Sequence, residues 1–294
     1  MRRATHAYSW YSGNSNHLKR EIISYLEKAT NEYSSRPIKG MICPHAGFAY
    51  SAPTAAYAWK NVQANDFKEK IERVFLLGNS HSAYTQKCLL SSATSYETPF
   101  GNLQIDTKIV SEILENEMFG QMSMEVDENE HSIEMHLPFV AHVLGTEKIK
   151  IVPILVGQIP NEKKLKYGEF FKQYLEMENS LFVVSSDFCH WGRRFQYTTT
   201  IKSEGNEKLP IYKSIEKIDR LGMDAIESLI PEKFNNYIDE YRNTICGKHP
   251  IGILMAASNP EVHQLKFVNY SQSSKVTSKS DSSVSYASAV LFEK

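Results

Sequence analysis

Leu181-Phe182-Val183-Val184-Ser185 runs directly into Ser186-Asp187-Phe188-Cys189-His190-Trp191-Gly192. The first half is an unbroken apolar, β-branched run, too short for a helix, and it reads as a strand buried on both faces. The second half turns polar and ends on glycine, as a loop does at the carboxyl end of a strand. Two other segments repeat the arrangement. Pro37 to Cys43 is followed by Pro44-His45-Ala46-Gly47, and Arg73 to Leu77 by Gly78-Asn79-Ser80-His81. Working outwards, Ile149 to Val156 reads as another strand, and Gln264 to Tyr270 and Ser283 to Leu291 as closing strands. Helical spacing covers Ser51 to Val62, Thr107 to Glu117, His131 to Leu144, Glu162 to Met177, Ser214 to Leu229 and Pro231 to Tyr241. Ser271 to Ser283, rich in Ser and Lys, reads as an exposed loop. The alternation predicts one α/β domain over residues 1–294, with a central mixed or largely parallel sheet flanked by helices.

The 294 residues are 41% hydrophobic, 23% charged and 11% aromatic, which excludes disordered, collagen-like and coiled-coil classes. Length alone fits two domains of roughly 150 residues or one large α/β domain equally well. A net charge of -1 argues against nucleic acid as the main partner. Cys43, Cys88, Cys189 and Cys246 are scattered, so neither a disulfide framework nor a structural zinc knuckle is expected. No run reaches the ~18 apolar residues of a bilayer span, and no secretory signal opens the chain. The expectation is a soluble intracellular protein with reduced thiols and no membrane insertion.

The histidines fall where strands end. His45, His81 and the Asp187/His190 pair follow three separate predicted strands, and open α/β sheets bind ligands beyond those carboxyl ends. Two imidazoles with an acid or a thiolate are an ordinary ligand set for zinc, iron or copper. The bland alternative for each is a packing or capping histidine. Asp187 and His190 are expected to form a carboxylate–imidazole pair that sets a tautomer. In Asn129-Glu130-His131-Ser132-Ile133-Glu134-Met135-His136 the histidines stand five apart, about 140° round a helix, so they do not share an ion as in HExxH. His131 and Glu134 do share a face and would orient a ligand or carry a proton, leaving His136 to pack. Cys246, ahead of Gly247-Lys248-His249-Pro250, reads as packing, or as a thiol whose pKa is lowered by Lys248 and a helix N-terminus. No GxSxG, P-loop or GxGxxG is present.

At these motifs the sequence resembles the Memo family, named for mediators of receptor-driven cell motility. The matching stretches are HAYSWY (6–11), PHAG (44–47), LGNSH (77–81), DENEHSIEMHLPF (127–139), LFVVSSDFCHWG (181–192), NTICGKHPIG (243–252) and DSSVSYA (281–287). The resemblance implies a fold like that of the class III extradiol dioxygenases, which use non-haem iron(II). It implies a metal pocket of His45, His81 and Cys246, with Asp187 and His190 beside it and His131 and Glu134 around it. Cys246 stands where those dioxygenases supply a carboxylate, which argues against ring cleavage and for one copper or iron(II) ion per chain. Copper- or iron-dependent redox activity is further implied, with reactive oxygen species and thiol oxidation, as are roles in motility, cytoskeletal signalling and metal homeostasis. So are a cytoplasmic location extending to the nucleus, and phosphotyrosine peptide binding with Trp10 as a contact. Tyr8 and Asn79 depart from the family pattern; the first would reshape the pocket mouth and the second, where proline is frequent, only loosen the turn before His81. Three readings follow: a metal-dependent oxidoreductase, a non-catalytic adaptor that docks a phosphopeptide or signalling protein with Lys248 meeting the phosphate, and a metal buffer. Oligomeric state is left open.

Overall fold

The computed structural model describes residues 1–203 and 205–294. The chain runs through α1 (Ser15–Lys28), β1 (Ile38–Cys43), α2 (Phe48–Gln63), β2 (Arg73–Asn79), β3 (Cys88–Leu90), β4 (Ser95–Tyr96), β5 (Leu103–Ile105), α3 (Thr107–Leu114), β6 (Phe119–Gln121), α4 (Met124–Asn129), α5 (His131–Glu134) and α6 (Leu137–Leu144). It continues through β7 (Lys150–Val156), α7 (Asn161–Leu175), β8 (Ser180–Ser185), β9 (His190–Trp191), α8 (Ile211–Glu227), α9 (Pro231–Tyr241), α10 (Lys248–Ala257), β10 (His263–Gln272) and β11 (Ser283–Glu293). The sheet order is β10-β11-β1-β8-β2-β7-β3-β6, with β4, β5 and β9 off this path. β1, β8, β2 and β7 are mutually parallel, while β11 pairs with β1, and β3 with β7, antiparallel. This is the mixed-sheet α/β fold that the alternation predicts. β1 and β8 are buried along their whole length, which is why their sequences run apolar instead of alternating.

Two departures from the predicted elements have physical causes. The helix expected over His131 to Leu144 is broken in two, because Pro138 has no N–H for the Glu134 carbonyl and its ring clashes there. The break swings His136 into the core, where it is 1% exposed. The unpredicted α10 is apolar nearly all round and contains Pro250 and Gly252, so it carries no amphipathic signal. The unpredicted α1 did carry one, with Leu18, Ile22 and Leu26 buried at four-residue spacing behind an Asn14 cap. Among the described residues no helix is long and apolar enough to cross a membrane.

The N-terminal segment is fastened by a buried guanidinium. Arg2, 0% exposed, donates from Nε to Asp127 Oδ1 at 3.1 Å and from Nη2 to the carbonyls of Asp127 (2.9 Å) and Glu130 (3.0 Å). Its Nη1 pairs with Glu134 Oε2 at 2.7 Å. It therefore caps the end of α4 and neutralises two carboxylates that burial would otherwise penalise. Replacing Arg2 by Met leaves Asp127 and Glu134 buried without their cation. The expected cost is about 3–5 kcal/mol, read as a fall in the urea midpoint at unchanged slope. A loss below 1 kcal/mol would show that the carboxylates find another partner.

Candidate metal centre

β1, β8 and β2 are neighbours in the sheet, and each delivers a polar residue two positions past its end: His45 after Cys43, Asp187 after Ser185, His81 after Asn79. The crossover from β1 through α2 to β2 leaves the place between them for β8, so the three loops converge on one edge. His131 arrives from α5, which packs on the end of β2. Gly78 permits this approach, since a Cβ there would run into Ser132 and Ile133. One nitrogen from each of His45, His81 and His131 lies within 4.8 Å of the others. Cys246 Sγ stands 3.3 Å from His45 Nε2.

The Ser185 hydroxyl sets the tautomer of His45. Its oxygen is 2.6 Å from the Ser132 carbonyl, which only accepts, so the single hydroxyl proton goes there. His45 Nδ1 at 2.6 Å and His136 Nε2 at 2.7 Å must then both donate to Ser185 Oγ. His45 consequently carries its proton on Nδ1 and turns the Nε2 lone pair towards Cys246. Burial, with the neighbouring imidazoles, holds the His45 pKa well below the usual value, and burial holds His136 down to about 3.

His81 is oriented in the same way by Glu130. The carboxylate accepts the His81 amide at 2.7 Å and its ring Nδ1 at 2.8 Å, and also the Ser132 amide at 2.9 Å. Burial pushes the Glu130 pKa up, but these bonds from His81 and Ser132 outweigh it and hold it down at about 2. The His81 Nε2 lone pair is left for another partner, and Asn79 Nδ2 donates to it at 2.9 Å. Asn79 thus does more than loosen a turn: as the last residue of β2 it caps the second imidazole.

His131 is sandwiched between His81 (centroids 4.3 Å apart, planes at 17°) and Trp10 (4.4 Å, 31°). Burial and His81 lower its pKa to about 4. Trp10, 36% exposed, therefore forms part of the mouth of the cleft. Glu134 faces away from the imidazole cluster. It accepts the His6 amide at 2.9 Å, His6 Nδ1 at 2.7 Å and the Tyr11 hydroxyl at 2.8 Å, so it holds down the segment that presents Trp10. Tyr8, 85% exposed and at φ 69°, lays its ring over Gly13.

Two expectations need correction. Asp187 and His190 form no hydrogen bond; His190 Nδ1 donates to the Phe188 carbonyl at 2.9 Å, and Asp187 Oδ1 accepts the amides of His45 (2.8 Å) and Ala46 (3.3 Å). Asp187 therefore clamps the His45 backbone. Cys246 does precede the N-terminus of α10, but burial and the Asp187 carboxylate push its pKa up instead of down. Its thiol accepts the Asp187 amide at 3.2 Å and has His45 Nε2 as the nearer acceptor for its proton. Ser185, Glu130 and His6 were not singled out from the sequence, where Asn79 reads only as a looser turn and His136 only as a packing residue. The one available signal was position, since Ser185 and Asn79 end the strands whose loops were.

Ser185→Ala removes the acceptor of two buried N–H groups and the donor to one carbonyl. A loss of about 2–4 kcal/mol in unfolding free energy is expected, and no measurable loss would contradict the shared-hydroxyl arrangement. The histidines also fix a pH dependence. Unfolded imidazoles protonate near 6.5, whereas His131 and His136 resist until about 4 and about 3. The unfolded state binds the extra protons, so their contribution is complete above pH 6.5 and is lost as pH falls. The slope is about 1.4 kcal/mol per pH unit for each group. Urea midpoints of chelator-treated protein from pH 7 to 5 should fall steadily; a flat profile would mean that both rings charge within the fold.

Residues 2–290 match the family described as Memo-like protein. Protein MEMO1 of Xenopus laevis is 44% identical over 99% of this chain and 97% of its own length. Protein MEMO1 of Homo sapiens is 43% identical with the same coverage, and the memo-1 homolog of Caenorhabditis elegans is 43% identical over 99% of this chain and 82% of its own. Among solved structures, the uncharacterized protein JW3007 from Escherichia coli K12 superposes with a TM-score of 0.52 at 10% identity, covering 84% of this chain and 98% of that one, a likeness of fold alone. The chain belongs to the Memo family.

Proposed function

We propose that the protein is a copper- or iron(II)-dependent redox protein that holds one ion between His45 Nε2, His81 Nε2 and Cys246 Sγ. The observation that carries this reading is the pair of fixed tautomers. Ser185 and Glu130 each accept a hydrogen bond from an Nδ1–H, which leaves two Nε2 lone pairs at the cleft and the Cys246 thiol 3.3 Å from one of them. His131 is the alternative third donor, since its nitrogen lies within 4.8 Å of the other two. A lone pair lies in its ring plane, however, and rings stacked at 17° send theirs side by side instead of to one point. His131 is better suited to cover the centre and carry protons. Two imidazoles and a thiolate favour copper or iron over calcium or magnesium.

An ion of this kind supplies one-electron exchange with dioxygen, the source of the reactive oxygen species and thiol oxidation implied by the family. The chain's own part would be to release the Cys246 proton to solvent on binding, which frees His45 Nε2 to hold the ion, and to keep Asp187 and Ser185 fixing His45 from two sides. The adaptor reading rests on Trp10, whose exposed indole beside the cleft offers a stacking surface to an aromatic phosphopeptide. Roles in motility, cytoskeletal signalling and metal homeostasis, and a cytoplasmic and nuclear location, come with this proposal.

Elemental analysis of protein purified without added metal or chelator is expected to give about one equivalent of iron or copper, absent from His45→Ala. Ser185→Ala should weaken the metal by about 10-fold or more, as lost outer-sphere partners do. Asn79→Ala should tighten it by about 2- to 10-fold, because the competing amide at His81 Nε2 is gone. No metal in either protein, and none bound on addition, would end the metal reading. Undiminished oxygen consumption by His45→Ala/Cys246→Ala would end the redox one. Equal calorimetric affinity for phosphorylated and unphosphorylated tyrosine peptides would end the adaptor reading.

A further inference from the structure

Lys164 lies in the first turns of α7 and is 6% exposed, although it has no ion-pair partner among the described residues. Its Nζ donates to Asn235 Oδ1 of α9 at 2.8 Å, which leaves two N–H groups for other acceptors. Burial and the nearby Lys248 ammonium, opposed by Asp239, lower its pKa to about 8. Lys248 opens α10, and the next residue, His249, has a buried Nδ1 with no partner. These groups share the wall of a cavity of about 160 Å³ with Arg242 and Asp239. Lys164, Lys248 and Arg242 face the single carboxylate of Asp239 there, so positive charge is in excess. Asn161 is the first residue of α7, whose opening amides have no acceptor within the helix, whereas the Lys248 amide at the start of α10 already donates to the Ile245 carbonyl at 3.3 Å. A buried lysine with unspent donors beside a second cation is stabilised by an anion that accepts from it.

We propose that this cavity binds a small tetrahedral dianion, inorganic phosphate or the phosphate of a small metabolite, on Lys164, Lys248 and the start of α7. Donors reach it from three helices, which suits a tetrahedral oxyanion better than a flat carboxylate, and the volume excludes a peptide. Lys248 and His249 also line a neighbouring cavity whose wall includes Cys246 and Asn79, so the two cavities share these side chains. The inference does not rest on the metal reading, since it concerns a separate group of residues in metal-free protein.

The test is calorimetric titration of chelator-treated protein with inorganic phosphate at constant ionic strength, alongside glycerol phosphate to distinguish a free ion from an ester. One equivalent of phosphate should bind. Lys248→Gln should weaken it at least about tenfold and Lys164→Met should abolish it, while the exposed neighbour changed in Lys163→Gln should leave it intact. The half-buried Lys248 keeps the test meaningful if the Lys164 variant is unstable. No binding up to tens of millimolar would overturn the proposal. So would affinity unchanged in both Lys164→Met and Lys248→Gln, or affinity lost in His45→Ala, which would place the anion in the histidine cleft.

Discussion

One hydroxyl proton governs the site. Ser185 Oγ is 2.6 Å from a carbonyl and within 2.7 Å of two ring nitrogens, and a hydroxyl has one proton to give and two lone pairs to share. Giving the proton to Ser132 commits both lone pairs and forces both imidazoles to donate. No freedom remains, so the His45 tautomer follows from a serine at the end of β8, one strand away. The same bond ties the start of α5 to the sheet, because the accepting carbonyl belongs to that helix. Glu130 accomplishes the equivalent for His81 with a carboxylate, which cannot donate at all while it is held ionised by three N–H groups. Two different chemistries thus present two Nε2 lone pairs to one cleft, and both depend on α5 sitting against β2.

That packing explains why a break in a helix matters so much. Pro138 ends α5 after a single turn, and the released chain turns His136 inward onto Ser185. In an unbroken helix His131 and His136 would point about 140° apart, one towards the cleft and one with no defined partner. The kink instead lets both histidines serve one network: His131 covers the cleft and His136 completes the serine. At this same end of α5, Glu134 and Arg2 draw the N-terminal segment across, so that Trp10 closes the stack on His131. The indole at the mouth is therefore positioned by an ion pair buried beneath it.

The strands and the residues at their ends were legible because buried parallel strands write continuous apolar runs, and loops after them change character abruptly. His45, His81 and Asp187 were found in this way, each two residues past a strand. What could not be read is the partner of each side chain. Asp187 and His190 look like a pair at three-residue spacing, yet the loop turns His190 to a backbone carbonyl and Asp187 to the His45 amide. Cys246 precedes a helix and a lysine, and proximity in sequence predicts an acidic thiol. Burial beside a carboxylate reverses the sign. Ser185 has no sequence signature, since serine at a strand end is common and only the fold brings Ser132 and two histidines to it.

The raised Cys246 pKa bears on how a metal centre of this composition would behave. A thiol that stays protonated in the empty cleft does not attract oxidants, and its proton has an imidazole acceptor at 3.3 Å. Only a bound cation favours the thiolate enough to displace that proton, so reactivity and occupancy become the same event. A carboxylate in this place, with its much lower intrinsic pKa, would give up its proton more readily than a thiol in the same surroundings. Asn79 adds a second restraint by occupying the His81 lone pair until something binds it more strongly. The protonated thiol would weaken affinity for hard ions more than for soft ones, because a soft ion regains the cost through its bond to sulfur. Selectivity at such a site would thus come from what the empty cleft withholds as much as from the ligands it offers.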